Sequence, residues 1–207
     1  MIEVLISNKF NYLLFLICYF IGSIPFGYVF YKVIKKDDIR NHGSGNIGAT
    51  NVNRLIGKKF AIITLILDFL KTFGPCLIIH KYFGTEVGTA SGFLTILGHM
   101  FPIWLKFKGG KGVASFMGFM LATSWPLFTV LIITWLIIVR IFKYSALAAI
   151  ISILINLIAF KTVLFIQFNY SILLWIKGDP IEFQFILFLS IIILIKHHTN
   201  IINIFKK

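Results

Sequence analysis

From Phe10 to Tyr31 no residue carries a formal charge, and the same holds from Gly112 to Val139. A hydrocarbon core of ~30 Å is crossed by about 20 apolar helical residues, and within it every backbone polar group must bond inside the chain, so such runs point to transmembrane helices. With 58% of 207 residues apolar, a soluble fold is excluded and the chain reads most simply as one transmembrane domain over 1–207. The Phe10–Tyr31 run is too long for a secretory leader and has no small-residue cleavage pattern, so it is expected to stay as a first span. Cys18 and Cys76 fall inside apolar runs, where they read as core side chains and not as a disulfide framework.

Hydropathy predicts spans at 10–32, 59–82, 87–105, 113–124, 126–141, 145–167 and 182–203. The segment 113–124 is too short to cross alone, and Ser124-Trp125-Pro126 separates it from the next, because proline removes an N–H and disfavours helix in the residue before it. Charge sets the orientation. With seven passes and the N-terminus outside, fifteen of the 20 basic residues lie on the inner side, among them Lys32, Lys35, Lys36, Lys58, Lys59, Arg140, Lys143, Lys196, Lys206 and Lys207. Treating 113–141 as one pass would put the C-terminal cations outside. The expected fold class is therefore all-α integral membrane, with about seven transmembrane helices, some short or broken, N-terminus outside and C-terminus cytoplasmic. Most of the net charge of +13 is topology signal. A nucleic-acid partner is excluded, since the aromatic residues are mostly Phe in apolar runs and not stacking groups in a basic patch.

Two polar stretches are left unexplained by the membrane reading. Arg40 to Arg54 contains Gly43, Ser44, Gly45, Asn46, Gly48, Thr50 and Asn51. Its glycines allow turns closed to other residues, and successive N–H groups in such turns can cradle an anion, with Arg54 adding a planar fork of donors. The second stretch, Lys106-Phe107-Lys108-Gly109-Gly110-Lys111-Gly112, encloses Lys111 in glycines just before a helix, which suits phosphate. It is not a Walker motif, because Leu105 stands where the first glycine is required. Asp68 and Lys71, at i and i+3 inside a span, share one helical face and either neutralise each other or reach the site, while His99 lines the pocket from below or caps a carbonyl. His42, His80, His99, His197 and His198 show no metal-ligand spacing, so no metal is expected. No Gly-x-Ser-x-Gly elbow surrounds Ser44, and no histidine is followed by aspartate after four intervening residues, so a nucleophile–base pair is not evident. The residues alone leave open an enzyme acting on phosphorylated substrates, a transporter or channel for a phosphorylated metabolite, and a structural scaffold.

Three motifs occur in order: Ser44-Gly45-Asn46-Ile47-Gly48-Ala49-Thr50-Asn51 followed by Arg54, then Gly98-His99-Met100-Phe101-Pro102 running into Lys106 to Ser115, then His197-x-x-Asn200-Ile201. Together with Ser23-Ile24-Pro25 and Asp68-Phe69-Leu70-Lys71, they closely resemble the bacterial acyl-phosphate:glycerol-3-phosphate acyltransferase family over nearly the whole chain. The resemblance implies a bacterial plasma-membrane enzyme with its active site toward the cytoplasm. It would move a fatty acyl group from acyl phosphate to the 1-hydroxyl of glycerol 3-phosphate, giving lysophosphatidic acid and phosphate without a cofactor. Its partners would be the two substrates, membrane lipid and, transiently, the soluble enzyme that makes acyl phosphate. Ser44, Arg54, Lys111, His197 and Asn200 are the expected catalytic residues. Gly43, Gly45, Asn46, Gly48, Thr50, Asn51, Lys108, Gly109, Gly110 and Gly112 are expected to bind substrate phosphate, supported by Asp68, Lys71 and His99. The family continues beyond its last motif with an arginine, a glycine and a glutamate, where this sequence reads Ile202 to Lys207.

Overall fold

A computed structural model of the chain describes residues 8–205, with side chains as far as Ile202; Lys206 and Lys207, assigned above to the inner face, lie outside the described residues. Among the described residues all regular structure is helical. The chain divides into two compact units, Met1–Phe119 and Met120–Lys207.

In the first unit, α1 (Lys9–Ser23) starts where the Asn8 side chain accepts from the Phe10 N–H, and α2 (Phe26–Lys35) resumes after a break at Ile24 and Pro25. The expected span 10–32 is thus a broken helix, because Pro25 has no N–H to give to the preceding turn. A single 3₁₀ turn at Ile39–Asn41 leads through the glycine loop to α3 (Ala49–Ile56), and Gly57 at φ +90° turns the chain into α4 (Lys58–Phe83). The expected span 87–105 is shorter than the sequence implies. Its helix, α5 (Thr85–Met100), stops two residues before Pro102, and Ile103–Leu105 form one 3₁₀ turn. After the lysine-glycine loop comes α6 (Val113–Thr123), whose last residues enter the second unit.

Small residues let these helices touch backbone to backbone. A Cβ on Gly22 would strike the Thr95 carbonyl, and one on Gly98 would strike that of Tyr19, so α1 and α5 are in direct main-chain contact. Tyr19 Oη then donates to the Phe101 carbonyl at 2.7 Å. Likewise Gly118 of α6 lies against the Phe69 carbonyl of α4, and Ser115 Oγ donates to Asp68 O at 3.0 Å. Such glycine-mediated approach is how helices associate in lipid, where apolar side chains gain nothing by leaving the solvent. Beneath the polar loops, Tyr31, Ile39, Ile47, Val52, Ala61 and Leu105 form one buried cluster, so both loops rest on a shared apolar base.

In the second unit, α7 (Trp125–Phe142) carries Pro126 in its first turn, where the missing N–H costs nothing. It packs on α8 (Ser145–Tyr170), with Asn156 Nδ2 donating to Leu127 O at 2.6 Å. Asp179 and Glu182 cap α9 (Pro180–Lys196) reciprocally, each side chain accepting from the other's N–H. The expected span 182–203 is broken at His197, where α9 ends and α10 (His198–Phe205) begins. Lys9–Lys35 taken as one segment, Lys58–Phe83, Trp125–Phe142 and Ser145–Tyr170 are long and apolar enough to cross a membrane, whereas Val113–Thr123 is shorter.

Candidate active site

The first polar loop is shaped from inside by Asn51. This buried amide accepts from the Ser44 N–H at 2.9 Å and donates to the carbonyls of His42 at 3.1 Å and Asn46 at 2.9 Å. Gly43 and Gly45 have φ of +61° and +69°, and a Cβ on Gly43 would meet the Asn51 amide. The Gly45 N–H closes a turn to the His42 carbonyl at 3.0 Å. Two main-chain donors expected to cradle an anion, those of Ser44 and Gly45, are therefore used within the loop, and Asn51 braces the loop with both of its polar atoms. What the loop presents outward is the Ser44 side chain, exposed, and the first turn of α3 after Gly48, whose leading N–H groups have no acceptor within their own helix.

The charged neighbours of this loop are largely committed. Arg40 forms a bidentate pair with Asp38, its Nε at 3.0 Å from Oδ1 and its Nη2 at 2.6 Å from Oδ2, while Nη1 donates to Leu105 O at 3.0 Å. The guanidinium holds the Asp38 carboxyl below the usual carboxylate range. His42 Nε2 lies 2.7 Å from Asp37 Oδ2. Arg40 thus ties the first loop to the start of the second, and its charge is compensated there.

The second loop also bonds inward. The Gly109 N–H donates to Met100 O at 3.2 Å and the Gly110 N–H to His99 O at 3.0 Å, closing the C-terminal end of α5. Both amides expected to face phosphate are thus used within the chain, where they satisfy the last carbonyls of α5. Gly112, at φ +87°, turns the chain into α6, whose leading N–H groups are again without intrahelical acceptors. Lys111, half-buried, stands at this turn. Burial holds its ammonium below the ordinary lysine range, and the positive charge of exposed Arg54 lowers it further. Arg54, in the last turn of α3, and Lys111, on the second loop, are thus like charges that disfavour one another, an arrangement that a bound anion would relieve. Lys108 is exposed on the same loop.

Beneath Gly110 lies the intramembrane group. Lys71 Nζ sits 2.8 Å from Asp68 Oδ1, donates to the Ile24 carbonyl at 2.9 Å, and lies 2.9 Å from His99 Nδ1. The same His99 Nδ1 lies 3.4 Å from Asp68 Oδ1, so the three side chains form one cluster. The carbonyl set apart by the break at Pro25 thus gains a charged partner. All three side chains are buried.

In the second unit, His197 is buried and its Nδ1 lies 2.8 Å from Ile193 O. A carbonyl only accepts, so Nδ1 is the donor in this bond. Asn200 Nδ2 donates to Tyr144 Oη at 3.1 Å, anchoring α10 to the start of α8. Tyr144 escaped the sequence reading, since a tyrosine at a helix start looks like an interfacial anchor.

Long apolar helices joined by glycine-shaped polar loops define an all-helical integral membrane protein. The glycerol-3-phosphate acyltransferase family matches residues 12–207. The glycerol-3-phosphate acyltransferase of Bartonella henselae is 42% identical over 197 residues, covering 92% of this chain and 86% of the relative. That of Anaplasma marginale is 40% identical over 186 residues, covering 89% and 86%. The crystal structure of PlsY (YgiH), an integral membrane glycerol 3-phosphate acyltransferase, in its glycerol 3-phosphate form superposes with a TM-score of 0.84 at 35% identity, covering 95% of this chain and 92% of that one. Its lysophosphatidic acid form gives 0.81 at 34%. The chain belongs to the glycerol-3-phosphate acyltransferase family, as an integral-membrane enzyme of the PlsY type. The transporter reading falls with this assignment.

Proposed function

We propose that the enzyme uses acyl phosphate as donor and the sn-1 hydroxyl of glycerol 3-phosphate as acceptor, at the cytoplasmic face of a bacterial inner membrane. What supports this is the family match over residues 12–207 together with Arg54 and Lys111, cations of its first two motifs whose charges act on one another. Both substrates are phosphate esters or anhydrides with up to two negative charges near neutral pH, and two cations, one of them just before the N-terminus of α6, match that demand.

The hydroxyl oxygen attacks the acyl carbonyl carbon, and the tetrahedral intermediate collapses by breaking the bond to the phosphate oxygen. Phosphate leaves with the electron pair and takes up the proton lost by the hydroxyl. Acyl phosphate is already an activated anhydride, so orientation, desolvation and charge stabilisation suffice. Arg54 and Lys111 stabilise the departing phosphate and the oxyanion, and Ser44 orients a substrate through its hydroxyl. Gly43, Gly45, Gly48, Asn46, Asn51, Gly109, Gly110 and Gly112 give the loops their shape, while Thr50 at the start of α3 and Lys108 complete the phosphate surroundings. On their motif, His197 and Asn200 serve the same reaction as hydrogen-bonding groups.

The charge pattern supports seven membrane segments with the N-terminus outside and the C-terminus inside, and the family resemblance supports a single acyltransferase domain over 1–207, surrounded by lipid, in passing contact with the soluble enzyme that makes acyl phosphate. Purified protein in detergent, given palmitoyl phosphate and glycerol 3-phosphate, should release inorganic phosphate and form lysophosphatidic acid. Acyl-CoA as sole donor should give no product. Turnover with acyl-CoA at a comparable rate would overturn the donor assignment.

A further inference from the structure

We propose that His99 is a positioning residue for the reaction, the floor on which the phosphate loop rests. The proposal builds on the assignment of that loop to glycerol 3-phosphate.

A Cβ placed on Gly110 would collide with the His99 ring, most closely at Nε2 and then at the flanking Cε1 and Cδ2, so the Nε2 end of the ring packs against the Gly110 main chain. Gly110 also donates its N–H to the His99 carbonyl at 3.0 Å, so one residue grips the loop through both its backbone and its side chain. The ring cannot drift, because Nδ1 is held by Lys71, which is itself held by Asp68 and by the Ile24 carbonyl. Lys111 is the next residue along. The height of the ring thus sets where the ammonium emerges relative to Arg54. An ion pair buried among apolar helices is poor evidence for stability alone, since packed apolar side chains do as well or better. Its connection through one imidazole to a loop that must hold still gives it a different purpose. Positioning of this kind is felt at the bound substrate, because a displacement of about 1 Å at a site can cost ~10²-fold in rate.

The two partners in the contact make the idea testable by compensation. In Gly110→Ala the methyl group lifts the loop off the ring, and in His99→Ala the floor is missing. Each single change should raise KM for glycerol 3-phosphate. In the double variant the alanine methyl at 110 occupies part of the space vacated by the ring, so the combined loss in kcat/KM should fall short of the product of the single losses by about tenfold. Lys71→Met, which frees the ring but leaves it present, should raise the same KM. Melting temperatures in detergent, measured alongside, report packing. Losses that multiply in the double variant would overturn the proposal, as would a Lys71→Met enzyme with unchanged KM. Activity of the unmodified protein is the control: a wild type that does not acylate glycerol 3-phosphate would instead refute the functional assignment.

Discussion

Replacing Asn51 by alanine tests whether loop shape, and not only loop charge, makes the site. The side chain is 1% exposed and supplies three hydrogen bonds, one received from Ser44 N–H and two given to the carbonyls of His42 and Asn46. Each such bond contributes about 0.5–1.5 kcal/mol net. Water can take over part of this, because Gly43, Ser44 and Gly45 are exposed, so the cost of ordering the loop is placed near the low end of the sum, at about 2 kcal/mol. If that ordering must be recovered when substrate binds, kcat/KM for glycerol 3-phosphate falls by roughly thirtyfold, since ~1.4 kcal/mol is a factor of ten. The loss should fall mainly on KM, with the melting temperature changed little because the apolar cluster beneath the loop is untouched. Steady-state phosphate release against glycerol 3-phosphate concentration measures it. Asn51→Asp is the sharper variant, since it keeps an acceptor for Ser44 N–H, loses both donors and adds a negative charge beside the phosphate. KM values for both variants within twofold of wild type would refute the reasoning.

Four further outcomes are expected. The Lys111 ammonium is held below the ordinary lysine range, and binding needs the protonated form, so affinity for glycerol 3-phosphate should fall as pH rises through that lowered value; Lys111→Arg, always charged, should remove this alkaline limb from the pH profile of kcat/KM. Arg40→Ala should cost about 1 kcal/mol or less in stability, because its pair with Asp38 is partly exposed, yet it should raise KM by releasing the Leu105 carbonyl from the first loop. Gly98→Ala, whose methyl group meets the Tyr19 backbone, should destabilise by roughly 1–3 kcal/mol and lower the melting temperature by several degrees. Gly74→Ala, with open space at the Cβ position, should leave the melting temperature unchanged or slightly raised.

Much of the architecture was legible in the sequence because hydropathy and proline act locally. Uncharged runs marked the helices, and Asp68 and Lys71 at i and i+3 announced a contact that the structure realises at 2.8 Å. Where the helices break was harder to read. A polar residue such as His197 can end a helix by bonding its last carbonyls, and its composition alone does not say so. Inside the candidate site the limit was direction. Asn51 in a polar loop reads equally well as facing ligand or facing inward, and only tertiary pairing with three backbone groups decides. The glycines of the second loop likewise read as an open cradle, whereas Gly110 is a glycine because a histidine from the preceding helix occupies the space of its side chain. The Ile24 carbonyl, left aside by Pro25 and claimed by Lys71, involves residues 47 positions apart and had no sequence signal.

The central claim is that Arg54, on α3, and Lys111, on the second glycine loop, face the same bound phosphate. The most direct measurement is the pH dependence of kcat/KM for glycerol 3-phosphate in Arg54→Gln. Burial is the larger cause of the lowered Lys111 ammonium and the Arg54 charge the second, so removing that charge should move the alkaline limb to higher pH while activity falls. A limb that stays at the wild-type pH, in an enzyme with reduced turnover, would mean that the two cations act apart, and would contradict the account.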